Sequence, residues 1–393
     1  MRLWEKGLPL AERVLRYTAG EDYRLDERLV AYDVRASIAH AEMLAEAGLL
    51  DAEDCRRIRE GLTELAARHA AGEWHIALED EDVHTALETR LTALVGEAGA
   101  RVHLGRSRND QVLAALRLYL LDAAGDLAAR LASVCDALRE LARRQGALVI
   151  PGYTHMRQAM PSSVELWSGG FIEALEDDAA GLENARRRLD RNPLGSAAGY
   201  GTPGLPIDRE ATTAKLGFAA TQAPVTAVQL SRGKAEATLL FELALAMQDM
   251  GRLASDLLLF STEEFGFVEL AAETTTGSSI MPQKRNPDVL ELVRAGSATA
   301  IACLDECLMI TAKLPSGYQR DLQRIKAPLF RSLDLVAASA DVLAFVLAQV
   351  RFVPERIRLS PGLHAAEEAN RLVTTEGIPF REAYRRVAER YKG

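Results

Sequence analysis

Apolar residues recur along this chain at alternating spacings of four and three, and three stretches hold the pattern long enough to count. Leu127, Leu131, Val134, Leu138 and Leu141 form the first stretch. Leu239, Leu243, Ala246, Met250, Leu253, Leu257 and Phe260 form the second, and Val336, Ala340, Leu343, Leu347 and Val350 the third. This spacing keeps one stripe of a helix apolar and predicts heptad-like seams on long helices. Ala, Leu, Glu and Arg dominate, and Val/Ile/Thr alternation of the strand kind is nearly absent, so the expected fold class is all-α. A helix from Val228 to Phe260 would be roughly 50 Å long at about 1.5 Å per residue, which calls for a bundle. Leu240, Phe241, Leu258 and Leu259 lie outside the seam and predict burial on more than one side. A bundle shared between subunits meets that need, and an intramolecular bundle satisfies the seams as well.

The breaks between helices are polar and rich in Gly and Pro. They are His103–Asp110, Pro151–His155 punctuated by Pro161, and Thr274–Pro287. Each is expected just ahead of a helix; Asn286 is a candidate cap and Pro287 a first-turn proline. Helix N-termini offer unpaired N–H groups and a positive dipole end, so loops carrying Arg106, Arg108, Lys284 and Arg285 there suit a small anionic ligand. Asn192–Pro206 and Leu314–Tyr318 read as crossings between bundle helices.

Charge narrows the partners. Across 393 residues, 47 Lys and Arg face 56 Asp and Glu, a net charge of −9, the wrong sign for a dedicated nucleic-acid or polybasic membrane-surface protein. No run of about 18 uncharged apolar residues occurs, and the start lacks a signal-peptide core, so a soluble, cytoplasmic protein is expected. The four cysteines are too sparse for a disulfide framework; Cys303 and Cys307 read as packing residues rather than half a zinc site.

The candidate chemistry sits in the loops. Gly277-Ser278-Ser279 lies near Lys284 and Asn286, and an ammonium with backbone N–H donors is a physical way to make a serine a base, although by spacing alone the segment also reads as an ordinary loop. His155 and His84 border polar segments, and His155 is placed to share a proton with a carboxylate such as Glu291. Each also reads as a structural hydrogen-bonder, and His40, His69, His75 and His364 are expected to be structural. No phosphate-binding loop, dinucleotide fingerprint or hydrolase elbow is present.

Gly277-Ser-Ser-Ile-Met-Pro-Gln-Lys-Arg-Asn-Pro287 resembles the signature loop of the fumarase/aspartase superfamily. Within it, His103-Leu-Gly-Arg-Ser-Arg-Asn-Asp-Gln111, Pro151-Gly-Tyr-Thr-His155, Gly201–Arg209 and Tyr318-Gln-Arg-Asp-Leu-Gln323 with Lys326 resemble segments of the argininosuccinate lyase family. The similarity runs from about Leu3 to Phe380 and takes in Asp33–His40 and Glu81–His84. It implies a long central helix bundle at 106–355 between a smaller helical domain at 1–105 and a shortened C-terminal one at 356–393. It also implies a homotetramer with active sites shared between subunits, and a carbon–nitrogen lyase that reversibly eliminates argininosuccinate to L-arginine and fumarate without metal or organic cofactor. By residue matching, Ser278 would be the base, Lys284 and Asn286 would stabilise the aci-carboxylate, and His155 with Glu291 would protonate the leaving nitrogen. Ser107, Arg108, Asn109, Thr154 and His84 would hold the succinyl carboxylates. Tyr318, Gln323 and Lys326 would meet the arginine end, Lys326 at the α-carboxylate, and Arg232 would also bind substrate.

The chain departs from the family pattern in places. Met156-Arg-Gln-Ala-Met-Pro161 replaces the usual Leu-Gln-x-Ala-Gln-Pro, Ser231 and Gly233 replace acids flanking Arg232, and Leu3-Trp-Glu-Lys-Gly7 is a reduced N-terminal motif. These bear on the substrate more than on the elimination. A lyase for another substituted succinate and a noncatalytic, crystallin-like structural protein are the alternatives.

Overall fold

Every residue counted in the three seams is buried. The helices that carry them are Arg108–Gln145, Lys234–Phe260 and Lys326–Gln349, with Val350 directly after the last, and two more of comparable length are Val164–Leu189 and Asp288–Thr311. The computed structural model describes residues 11–391, so the Leu3–Gly7 motif lies outside the described residues. The chain forms two compact units, one of Met1–Ala128, Ala180–Ala244 and Thr299–Leu335, the other of Ala129–Ala179, Leu245–Ala298 and Val336–Gly393. The boundaries fall within the long helices, so this grouping is drawn on other lines than the divisions after 105 and 355.

The helix expected from Val228 is broken. Thr226–Leu230 ends, Ser231-Arg232-Gly233 turns, and a new helix begins at Lys234. Gly233 has φ 83°, and a Cβ there would lie 2.2 Å from the Thr311 side chain, so the turn admits only glycine. The remaining 27 residues span about 40 Å. Outside the seam Leu240 is buried, whereas Phe241 is 49% exposed.

In the first unit, helices Val30–Glu46, Ala52–Ala70 and Val83–Val95 pack together. Asp51 and Asp82 start the last two by accepting the N–H groups of Asp54 (2.8 Å) and Thr85 (2.9 Å). Ala36, Ala39, Ala114, Leu118, Leu194, Leu216 and Phe218 form a core in which three alanines pack against larger apolar side chains. Cys303 and Cys307 are buried free thiols, as packing residues should be.

In the second unit the break at Pro151 is a β-hairpin and not a loop. Val149–Thr154 pairs antiparallel with Arg157–Ser163, Pro151 faces Pro161, and a bulge falls between Gly152 and Tyr153. His155 and Met156 form the turn, both at positive φ (51° and 58°), the geometry that a two-residue hairpin of matching twist requires. Trp167, Phe260, Phe267 and Phe352 make an aromatic cluster, anchored where Trp167 Nε1 donates to Asp256 at 2.9 Å. Helices Ala365–Glu376 and Phe380–Arg390 close on each other through Ala369, Ala383 and Val387.

Candidate active site

The expected site residues fall into two groups, one in each unit. In the first, His84, Arg108, Asn109, Arg232, Tyr318, Gln323 and Lys326 all line one cavity of about 100 Å³. Ser107 stands beside it as the cap of the Arg108–Gln145 helix. Its carbonyl accepts the Asp110 and Gln111 N–H groups, and the Asp110 carboxylate accepts the Ser107 N–H at 3.0 Å, a reciprocal capping arrangement. The other Asp110 oxygen accepts the Ala197 N–H at 2.7 Å. Burial pushes Asp110 up to about 6 against these hydrogen bonds. The result is a fixed helix start bearing Arg108 and Asn109, with Arg108 bonded to Asp82 at 3.0 Å.

His84 is fully enclosed. Its Nδ1 is 2.5 Å from Asp33 Oδ2, and Asp33 also receives the Gln111 amide (2.9 Å) and the Ser37 hydroxyl (3.1 Å). Burial depresses the imidazole, but Asp33, Asp82 and Asp26 outweigh it and raise its affinity for a proton. Nε2 is buried without a partner among the described residues. His84 is thereby oriented from behind and available at its other nitrogen.

Lys326 departs from its expected role. Its Nζ lies 2.6 Å from Asp26 and 2.9 Å from Asp22, so these carboxylates and not a ligand's occupy it. A buried ammonium has to be paired, and the two acids outweigh burial and raise it. Burial in turn pushes Asp22 up to about 6 despite the lysine. Gln323 is likewise engaged, donating to the carbonyls of Thr18 (2.8 Å) and Ala19 (3.3 Å), and Arg320 joins it on Thr18 (2.9 Å). These two side chains hold the end of the Glu12–Ala19 helix at the cavity. The Arg232 guanidinium lies 5.4 Å from the Tyr318 ring centroid, and its Nε and Nη1 are buried without partners among the described residues.

In the second unit Thr276–Gly277 pairs with Arg285–Asn286 and the residues between form the expected loop. Ser278 Oγ accepts the N–H groups of Met281 (3.1 Å) and Ile280 (3.4 Å), donors of the kind that would steady an alkoxide. Asn286 Nδ2 donates to the Gly277 carbonyl at 3.4 Å and closes the loop. The helix starts one residue later than expected. Leu290 and Glu291 donate to the Pro287 carbonyl, so Pro287 occupies the cap position and Asn286 precedes it. Lys284, Glu291 and Met156 line a groove of about 1030 Å³, on whose wall neither Ser278 nor His155 lies. Thr154 and His155 are exposed at the hairpin tip, and Glu291 is exposed in the first turn of its helix. No ion pair joins His155 to Glu291 among the described residues, and both residues are exposed.

Sequence reasoning missed Asp22, Asp26, Asp82 and Arg320 on the first cavity. A lysine destined for burial needs acids nearby, and Asp22 and Asp26, one turn apart, were the available signal.

Comparison with known proteins gives the family. A protein-family model described as Lyase matches residues 13–302. The chain is 46% identical to the argininosuccinate lyase of Sorangium cellulosum (strain So ce56), covering 99% of this chain and 90% of that protein. It is 41% identical to the argininosuccinate lyase of Thermotoga neapolitana, covering 99% and 98%. A crystal structure of EDDS lyase in complex with formate superimposes with a TM-score of 0.80 at 26% identity, over 97% of this chain and 76% of that one. A fumarate lyase from Mesorhizobium sp. BNC1, at TM-score 0.76 and 22% identity over 98% and 86%, shares the fold. With relatives this similar over nearly its whole length, the chain belongs to the argininosuccinate lyase family.

Proposed function

We propose that this protein catalyses the reversible elimination of argininosuccinate to L-arginine and fumarate. The observation that carries the reading is a cavity of mixed charge in a chain of this family. Asp22, Asp26 and Asp82 face Arg108, Arg232, Arg320 and Lys326, with His84 beside them. Asp22 and Asp26 are engaged by Lys326 and Asp82 by Arg108, whereas Arg232 keeps buried nitrogens without partners among the described residues, which suits a ligand with carboxylates at both ends.

The reaction removes a proton from the carbon next to a carboxylate, breaks the adjacent carbon–nitrogen bond, and returns a proton to the leaving nitrogen. Ser278, with its two backbone donors, is the base, and Lys284 and Asn286 stabilise the doubly charged aci-carboxylate. His155 with Glu291 supplies the proton to the nitrogen. Ser107, Arg108, Asn109, Thr154 and His84 serve the succinyl end, and Tyr318 and Arg232 the amino-acid end. Lys326 and Gln323 act from behind, holding Asp22, Asp26 and the Glu12–Ala19 helix. The test is the absorbance of fumarate formed from argininosuccinate; purified protein that forms none would reject the reading.

The proposed assembly is a cytoplasmic homotetramer in which the two groups of residues meet across subunits. Support comes from large apolar side chains left exposed on the long helices, Leu292 at 72% and Met309 at 70% among them. Inactive Ser278→Ala and Arg108→Ala chains, one change in each group, mixed under subunit exchange, should regain activity because some mixed sites carry neither change. A monomeric mass at working concentration would refute the assembly. The likeness to EDDS lyase, together with Arg157 and Met160 on the exposed hairpin, favours as a second reading a lyase for another N-substituted succinate. Comparable reverse rates of fumarate addition to arginine and to other amines would establish it.

A further inference from the structure

We propose that Glu27, His69 and His75 form a binding site for a divalent transition-metal ion of the zinc type, separate from the elimination site. Among the described residues they are the group of three potential ligands whose donor atoms all lie within 4.8 Å of one another. His69 Nε2 is 2.5 Å and His75 Nδ1 3.7 Å from the same oxygen, Glu27 Oε2. Zinc with bonds of about 2.0–2.2 Å in tetrahedral geometry sets its donor atoms about 3.4 Å apart. The first pair must therefore open by less than 1 Å, and the second must close by a few tenths. Rotation of the His75 side chain, which is 73% exposed, closes the second gap, and the first opens by a small tilt of the His69 ring away from Glu27.

The surroundings hold the donors in register. Glu27 Oε1 accepts the Ile76 N–H at 2.7 Å, which fixes the carboxylate with its other oxygen toward the imidazoles. The His69 ring packs on Trp74 with centroids 4.8 Å apart, and Trp74 Nε1 is tied to the Leu65 carbonyl at 2.9 Å. Such anchors do for a metal ligand what outer hydrogen bonds do in established sites. Two imidazoles and one carboxylate suit zinc, cobalt(II) or nickel(II), whereas magnesium and calcium want oxygen donors. Water completes the coordination, and His69 binds the ion through an Nε2 that carries no proton. Glu27 directly follows Asp26, the partner of Lys326, on the Asp26–Leu29 turn. An ion at this site ties that turn to the end of the Ala52–Ala70 helix.

The test uses the full-length protein freed of metal with a chelator, titrated with zinc chloride by calorimetry and with cobalt chloride by visible absorption. One saturable equivalent per chain is expected, and cobalt should give ligand-field bands without thiolate charge transfer, which separates this site from Cys55. His75→Ala and Glu27→Gln should each weaken binding at least about tenfold to a hundredfold. The His75 change should leave the metal-free melting temperature where it was. Absence of saturable binding, or unchanged affinity in both variants, would overturn the proposal.

Discussion

Asp110 offers the cleanest link between burial and a measurable stability. Its carboxylate is fully buried at the start of the Arg108–Gln145 helix, and burial pushes it up to about 6 in the folded protein. In the unfolded chain an aspartate titrates near about 3.9. Because the folded value is the higher one, the group's contribution to stability is fully present below about pH 4 and is lost as pH rises through about 6. Between pH 5 and pH 7.5 the folded protein gives up a proton that the unfolded chain has already released, and the loss is about 1 to 2 kcal/mol. Asp110→Asn removes the titration while keeping the shape. It also turns one acceptor into a donor against the Ser107 or Ala197 N–H, at a pH-independent cost of about 1 to 3 kcal/mol. Urea unfolding followed by circular dichroism at pH 5, 6 and 7.5 should show wild type exceeding the variant by an amount that shrinks as pH rises. Other titrating groups cancel in the comparison. A difference that stays flat across the range would refute the reasoning, because the carboxylate would then be ionised in the fold at pH 5.

Ser278→Ala should lower kcat on the order of a hundredfold or more while leaving unfolding midpoints within about 1 kcal/mol, since its oxygen accepts only two long bonds in an open loop. Near-normal kcat would remove Ser278 from the role of base. Lys326→Met strands Asp22 and Asp26 as buried carboxylates and should cost about 3 to 5 kcal/mol at pH 7.5, with part of the loss recovered at pH 5 as Asp22, already pushed up to about 6, takes up a proton. An unfolding midpoint unchanged from wild type at pH 7.5 would show that the pair is not enclosed.

The seams were legible because a spacing of four and three needs only local geometry, and every residue named in them is buried. The break at Gly233 was not, because Val228, Ala235 and Leu239 keep helical spacing across it. What interrupts the helix is a positive φ beside Thr311, which comes from distant sequence. The hairpin at 149–163 was hidden for the opposite reason: its prolines and glycine suppress the alternating pattern, and its turn is built from His155 and Met156 without the usual Asn or Gly. At the site, residue types in the loops were readable and their partners were not. Ser278 could be named from its loop, whereas the engagement of Lys326 by acids three hundred positions away requires the folded chain.

The departures around Arg232 have a physical reason that bears on the substrate. An acid at position 233 is excluded, since any Cβ there meets Thr311. Position 231 is filled by a serine whose hydroxyl receives Arg117 (3.2 Å) and Gln222 (2.8 Å) and donates to the Val228 carbonyl (2.8 Å). Arg232 therefore has no flanking carboxylate to pair with. Tyr318 covers it at 5.4 Å, and two of its nitrogens stay buried without partners among the described residues. A buried guanidinium in that state is costly unless an anion completes it. In the proposed reaction the substrate brings carboxylates at both ends, and one of them meets this need on binding. In that reaction, absence of acids beside Arg232 leaves a cation for the substrate, so a departure from the family pattern strengthens the demand for a carboxylate ligand.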